Sequence, residues 1–116
     1  PHMIVFWAQD CAYCMKEFTF FDEVLSQTNT VKLITVATDS FLSADIINKL
    51  HHDNNLHDVE RWVFSDPVKE KLFFDVSKSW RGEVPFIFLV NKDKVVTKHL
   101  GMLTEAELLN WVKQQG

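Results

Sequence analysis

The chain has little cysteine, no surplus of basic charge and no long apolar run. Among its 116 residues only Cys11 and Cys14 are cysteines. With no third cysteine, that pair is a redox couple, half of a metal site or a small structural staple. Lys and Arg number 12 against 16 Asp and Glu, a formal net charge of −4. The basic residues are scattered rather than clustered, which argues against a nucleic-acid-binding face. No apolar stretch approaches the roughly 20 residues that span a bilayer. Neither repeats nor low-complexity segments occur.

What the chain has is apolar and aromatic mass. Hydrophobic residues make up 47% of it, with ten Phe and four Trp, ample for a packed core. Its length suits one domain. Pro1-His2-Met3 has the look of a cloning remnant, so the domain is expected at residues 4–116.

Ile4 to Ala8 is a short continuous apolar run, the pattern of a strand buried on both faces. From Cys11 the period becomes helical, with Met15, Phe18, Phe21, Val24 and Leu25 recurring at helical steps until Gln27-Thr28-Asn29. Val31 to Thr38 is a β-branched strand. Ser43 reads as the N-cap of a second helix with the stripe Ile46, Ile47 and Leu50. That helix is expected to fray through His51 to Asn55. Arg61 to Phe64 is a brief third strand. Ser65-Asp66-Pro67 opens a third helix, with Pro67 at its first position and Leu72, Phe73 and Val76 facing inward. After a loop from Trp80 to Pro85 come a buried strand, Phe86 to Val90, a polar turn and a hairpin partner, Val95 to Leu100, stopped by Gly101. Thr104 and Glu107 make a capping box for the last helix, which Leu108, Leu109 and Val112 pack down. The order β-α-β-α-β-α-β-β-α predicts an α/β fold, a parallel-centred sheet with a C-terminal antiparallel hairpin and helices on both faces.

A strand that delivers a C-x-x-C to the first turn of a helix is the arrangement of a redox-active dithiol. The free N–H groups and positive dipole end of that helix favour a thiolate at Cys11. Cys14 lies one turn away, close enough to attack a mixed disulfide formed at Cys11. A static staple across one turn closes too short a loop to add much stability. The metal reading needs two more ligands. His51, His52 and His57 are candidates by type, but no second C-x-x-C accompanies them, and they read instead as a solvated helix end.

These residues carry a family likeness. Phe6-Trp7-Ala8-x-x-Cys11-x-x-Cys14 resembles the strand-to-active-site segment of thioredoxin-fold proteins. Val84-Pro85 ahead of a strand is similar to their cis-proline loop, and the hairpin and final amphipathic helix also match. The resemblance spans essentially the whole chain. The helix–strand unit over residues 43–66, inserted between the second strand and the helix before the proline loop, resembles the TlpA/ResA-like branch. A peroxiredoxin fits less well, because Cys11 lacks the Pro-x-x-x-Thr/Ser-x-x-Cys setting of a peroxidatic cysteine.

The resemblance implies a thioredoxin fold, a mixed sheet flanked by helices on both faces. It implies a thiol–disulfide oxidoreductase that reduces partner-protein disulfides, with Cys11 attacking and Cys14 resolving. Tyr13, Val84 and Pro85 are then the substrate contacts, the Val84–Pro85 bond being cis. No metal or organic cofactor is called for, since the cysteine pair carries the electrons and an upstream dithiol restores it. The implied partners are protein thiols or disulfides, not nucleic acid, and the implied state is a monomer. The implied setting is extracytoplasmic, with an anchor or leader lost from the N-terminus, although a C-x-x-C also works in the cytoplasm. A thiol oxidant or isomerase, and a redox-inactive partner-binding module, stay open as alternatives.

Three departures from the family pattern stand out. Asp10 occupies the position before the first cysteine that is often Trp, and its carboxylate opposes a thiolate at Cys11. The acidic residue that thioredoxins bury beneath the site would fall at Val5. The strand and helix that precede the active-site strand in thioredoxins are absent. Five residues flank the motif as candidates for tuning it: Trp7, Asp10, Lys16, Glu17 and Trp80. For Trp7 and Trp80 core packing is an equal expectation, and for Lys16 and Glu17 simple solvation of a helix surface is the leading one.

Overall fold

The computed structural model describes residues 1–57 and 59–115. In chain order its elements are β1 (His2–Trp7), α1 (Ala12–Leu25), β2 (Lys32–Ala37), α2 (Ala44–Asp53), β3 (Glu60–Val63), α3 (Lys69–Val76), β4 (Phe86–Val90), β5 (Val96–Leu100) and α4 (Glu105–Gln115). This is the order that the hydrophobic periodicity predicts. The strands form one five-stranded sheet, ordered β3-β2-β1-β4-β5. β1, β2 and β3 run parallel, and β4 and β5 are antiparallel to their neighbours. The inserted α2–β3 unit thus widens the sheet beyond β2, where β3 is a short edge strand.

Alternation along β1 sorts the core onto two faces. Met3, Val5 and Trp7 join Ile87 and Leu89 of β4 on one face, covered by α1, α2 and α4 through Phe18, Phe21, Ile47 and Leu108. Ile4 and Phe6 join Phe86 and Phe88 on the other, closed by Phe73 of α3. Successive strand side chains point to opposite faces, so a central strand with both faces covered has to be apolar at every step. That is why Ile4 to Trp7 is an unbroken apolar run.

Both caps read from the sequence are formed. Ser43 Oγ accepts the Ile46 N–H at 3.3 Å. Thr104 Oγ1 accepts from Glu107 N and Glu107 Oε1 from Thr104 N, each at 3.1 Å.

Three expectations are corrected. β1 starts at His2 rather than Ile4, and Met3 is fully buried in the core. Pro67 is not the first residue of α3. The Asp66 carboxylate accepts the Val68 N–H at 2.8 Å, and this turn delays the helix to Lys69. His51 is no solvated helix end. It lies four residues after Ile47 on the inward face of α2 and is fully buried. Its Nδ1 is 2.7 Å from the Ile47 carbonyl and its Nε2 is 2.8 Å from Thr35 Oγ1. A carbonyl only accepts, so Nδ1 donates and Nε2 accepts from the hydroxyl. The ring packs edge-on to Trp7 at 5.4 Å and against Phe18 at 5.0 Å. Burial pushes its pKa from 6.5 down to about 4, helped by the nearby Arg61 charge and opposed by the Ile47 carbonyl.

Candidate active site

The parallel strands point their C-terminal ends at one edge of the molecule, and the cysteines stand there. After β1 the chain turns through Gln9 and Asp10, and Cys11 N–H returns to the Ala8 carbonyl at 3.2 Å. Cys11 is the N-cap of α1, in extended conformation, and its Sγ accepts the Cys14 N–H at 3.1 Å. The two sulfurs are joined in a disulfide. Cys14 is fully buried, whereas Cys11 is half-buried. A partner approaching from solvent therefore meets Cys11 first.

The cysteine loop is flanked by two segments, one of them bonded to it. On the β2 side Thr38 bonds the Trp7 carbonyl through its N–H at 2.8 Å and its hydroxyl at 3.1 Å. Next to it, Asp39 Oδ2 accepts the Gln9 N–H at 2.8 Å. On the other side β4 runs antiparallel to β1, so it begins at this same edge. The Val84–Pro85 peptide just ahead of it is cis. Pro85 is buried, Val84 is half-buried, and the Pro85 carbonyl accepts the Gly101 N–H at 2.9 Å.

Beneath the cysteines lies Glu17. It is fully buried, one helical turn beyond Cys14 on the same face of α1. Its Oε2 accepts the Leu103 N–H at 2.6 Å, while Oε1 has no partner among the described residues. Burial pushes its pKa from 4.5 up to about 8, against the opposing pull of the Leu103 N–H. At neutral pH the carboxyl therefore holds its proton. The solvated reading of Glu17 is thus corrected. Val5, where thioredoxins place their acid, is a core residue here.

The other candidates separate clearly. Tyr13 is 61% exposed between the cysteines, with Lys16 Nζ lying 5.6 Å from its ring centre. Asp10 is exposed beside Cys11. Trp7 is fully buried, not partly, against Phe18 and His51, and its Nε1 has no partner among the described residues. Trp80 is also a core residue, packed among Phe6, Phe73 and Phe86, with Nε1 donating to the Glu83 carbonyl at 2.7 Å. His52 and His57 approach each other at 5.8 Å, but among the described residues no three His, Cys, Asp or Glu side chains converge as a metal site would require. Sequence reasoning missed Asp39, for which no local pattern speaks. The burial of Glu17 did leave a trace: it shares the Cys14, Phe18, Phe21 stripe.

A five-stranded mixed sheet with this topology, covered on both faces and carrying a C-x-x-C at the head of its first helix, is the thioredoxin fold. Solved structures bear this out. The chain is similar to a secreted Mycobacterium tuberculosis disulfide oxidoreductase homologous to Escherichia coli DsbE, with a TM-score of 0.77 and 17% identity over 98% of this chain and 81% of that one. It is similar to StoA from Bacillus subtilis, with a TM-score of 0.68 and 22% identity over 96% and 81% of the two chains. A thiol:disulfide interchange protein of the thioredoxin family from Chlorobium tepidum gives 0.77 and 14%, over 98% and 78%. At these identities the likeness is one of fold. By sequence, neither a family model nor a curated protein matches the chain.

Proposed function

We propose that this chain is a thiol–disulfide oxidoreductase that reduces disulfides in partner proteins. One observation carries the reading: a bonded cysteine pair at a helix N-terminus, its first cysteine half-buried and its second fully buried, with a buried carboxyl one turn further on. In the reduced form the Cys11 thiolate attacks a partner disulfide, forms a mixed disulfide and expels one partner thiolate. Cys14 loses its proton, attacks Cys11 Sγ and releases the second partner thiolate. Two electrons pass to the partner, whose two thiolates take up the proton given by Cys14 and one from solvent, and Cys11–Cys14 is left as the disulfide.

Glu17 is the group we assign to the Cys14 proton: with a pKa of about 8 a minor fraction of the carboxyl is ionised at neutral pH, and it is this form that takes the proton. Tyr13 is exposed for contact. Val84, just outside the β4 ladder, offers backbone to an extended partner segment. Asp10 beside the attacking sulfur raises the cost of a thiolate and so favours the disulfide product. A dithiol donor restores the reduced state, and no metal or organic cofactor takes part. A monomer working outside the cytoplasm is the setting we favour, supported by the secreted neighbour.

The test is insulin reduction by the wild type and by Cys11→Ser, with the redox potential measured against glutathione. A reductant is expected near the thioredoxin value of about −270 mV. A value nearer about −120 mV would make the protein an oxidant, and full activity in Cys11→Ser would overturn the mechanism.

A further inference from the structure

The connection from β2 to α2 holds a bulky side chain in a backbone conformation that such residues avoid. Phe41 has φ 61°, in the left-handed region. Asn55 and Lys94 share a positive φ, but Asn tolerates it and Lys94 sits in the tight hairpin turn. The Phe41 ring is 62% exposed, so its own burial does not offset the strain.

The segment around it is over-determined. Phe41 N–H donates to the Phe64 carbonyl at 2.8 Å and Leu42 N–H to the Asp39 carbonyl at 3.1 Å, while Leu42 packs on the core. Thr38 and Asp39 lock the same segment to Trp7 and Gln9 of the cysteine loop. The fold therefore spends stability to hold a large apolar ring in solvent at the dithiol edge. Strain of this kind concentrates where a site has to be presented.

Its place follows from the strand order. β2 lies beside β1 and β3 beside β2, so Phe41 stands about 5–10 Å to the side of the cysteine-bearing strand. Val84 and Pro85 stand on the opposite side, ahead of β4. A partner chain reacting at Cys11 and extending away from Val84 runs towards the side on which Phe41 lies.

We propose that Phe41 is a specificity-determining residue. It receives a bulky apolar side chain of the partner polypeptide, roughly two to four residues from that partner's reacting cysteine at about 3.3 Å per residue. This rests on the reading of Cys11–Cys14 as redox-active. Tyr13, similarly exposed, stands between the cysteines.

The test is Phe41→Asn, which keeps the positive φ without a ring. Its thermal midpoint is expected to equal or exceed the wild type's. On a disulfide-linked peptide with Leu three residues from its cysteine, kcat/KM should fall about five- to twentyfold, the worth of covering the exposed part of a Phe ring. On the matching Ser peptide, and on a small aromatic disulfide, wild type and variant should agree. Equal rates on the Leu peptide, or an equal loss on every substrate, would overturn the proposal. Binding of the same peptides with blocked thiols to the oxidised protein, read from ring resonances, tests the contact without turnover. A Leu preference abolished by Phe41→Asn supports it and no preference overturns it. Selective binding without any reduction would overturn the redox reading and leave the contact standing.

Discussion

Measured against pH, the stability of the oxidised protein is expected to form a plateau bounded by Glu17 on one side and His51 on the other. Folded, Glu17 keeps its proton up to about pH 8, whereas the unfolded carboxyl loses it near 4.5. Between those values the folded state holds the extra proton, so stability falls as pH rises. His51 is the reverse. Folded, it stays neutral down to about pH 4, whereas unfolded it takes a proton below 6.5. Across that interval the unfolded state holds the extra proton, so stability falls as pH falls. From 4.5 to 6.5 the two slopes cancel. From 6.5 to about 8 only Glu17 remains, and one proton at about 1.4 kcal/mol per pH unit removes about 2 kcal/mol. Below the plateau His51 acts, joined by surface carboxylates such as Glu107, which hydrogen bonds hold below their usual range. The assay is urea unfolding of the disulfide form, in which the cysteines do not titrate. A loss of that size moves the midpoint down by about 1 M urea. In Glu17→Gln the fall above pH 6.5 should vanish, and stability should instead climb with pH up to His51's unfolded value and then level. A wild type that is flat across the upper interval, or a Glu17→Gln variant that still falls there, would refute the reasoning.

Other consequences concern the site and its frame. Cys14→Ser should accumulate a mixed disulfide with substrate at Cys11, detected as a mass adduct that added dithiol removes; rapid release without an adduct would show that Cys14 is not the resolving group. Asp10→Asn should lower the Cys11 pKa, seen as an alkylation rate that rises at more acid pH, and an unchanged profile would remove Asp10 from the tuning of the dithiol. Gly82→Ala should cost about 2–4 kcal/mol, because Gly82 has φ 92° and an added Cβ would run into the Phe73 ring. Gly101→Ala has a similar φ of 94° but open space around it, so urea unfolding should show a smaller loss.

Much of this architecture was legible in the chain, for particular reasons. Short strands buried on both faces announce themselves as unbroken apolar runs, and Ile4 to Trp7 did so. Caps are local, so Ser43 and the Thr104–Glu107 box were readable from spacing. The dithiol was readable because Cys-x-x-Cys at a strand-to-helix switch has few other uses. What escaped was decided by distant partners. Nothing near Asp39 tells of its bond to Gln9, a contact between the ends of two neighbouring strands. His51 looked like a solvated helix end because its partners, Thr35 and the Trp7–Phe18 pair, lie on β1, α1 and β2. Glu17 was ambiguous for the opposite reason: its stripe position pointed inward while its charge pointed outward, and burial won by keeping the carboxyl protonated. Trp7 and Trp80 were each divided between site and core, and the sheet's two faces took both as core.

The bond between Glu17 and Leu103 joins positions 86 residues apart. A nascent chain makes the cysteines, α1 and the central strands well before it makes Leu103 and α4. Until Leu103 is in place the Glu17 carboxyl lacks its N–H donor, so the contact that ties α1 to the far end of the chain is completed last, long after the cysteines themselves have been made.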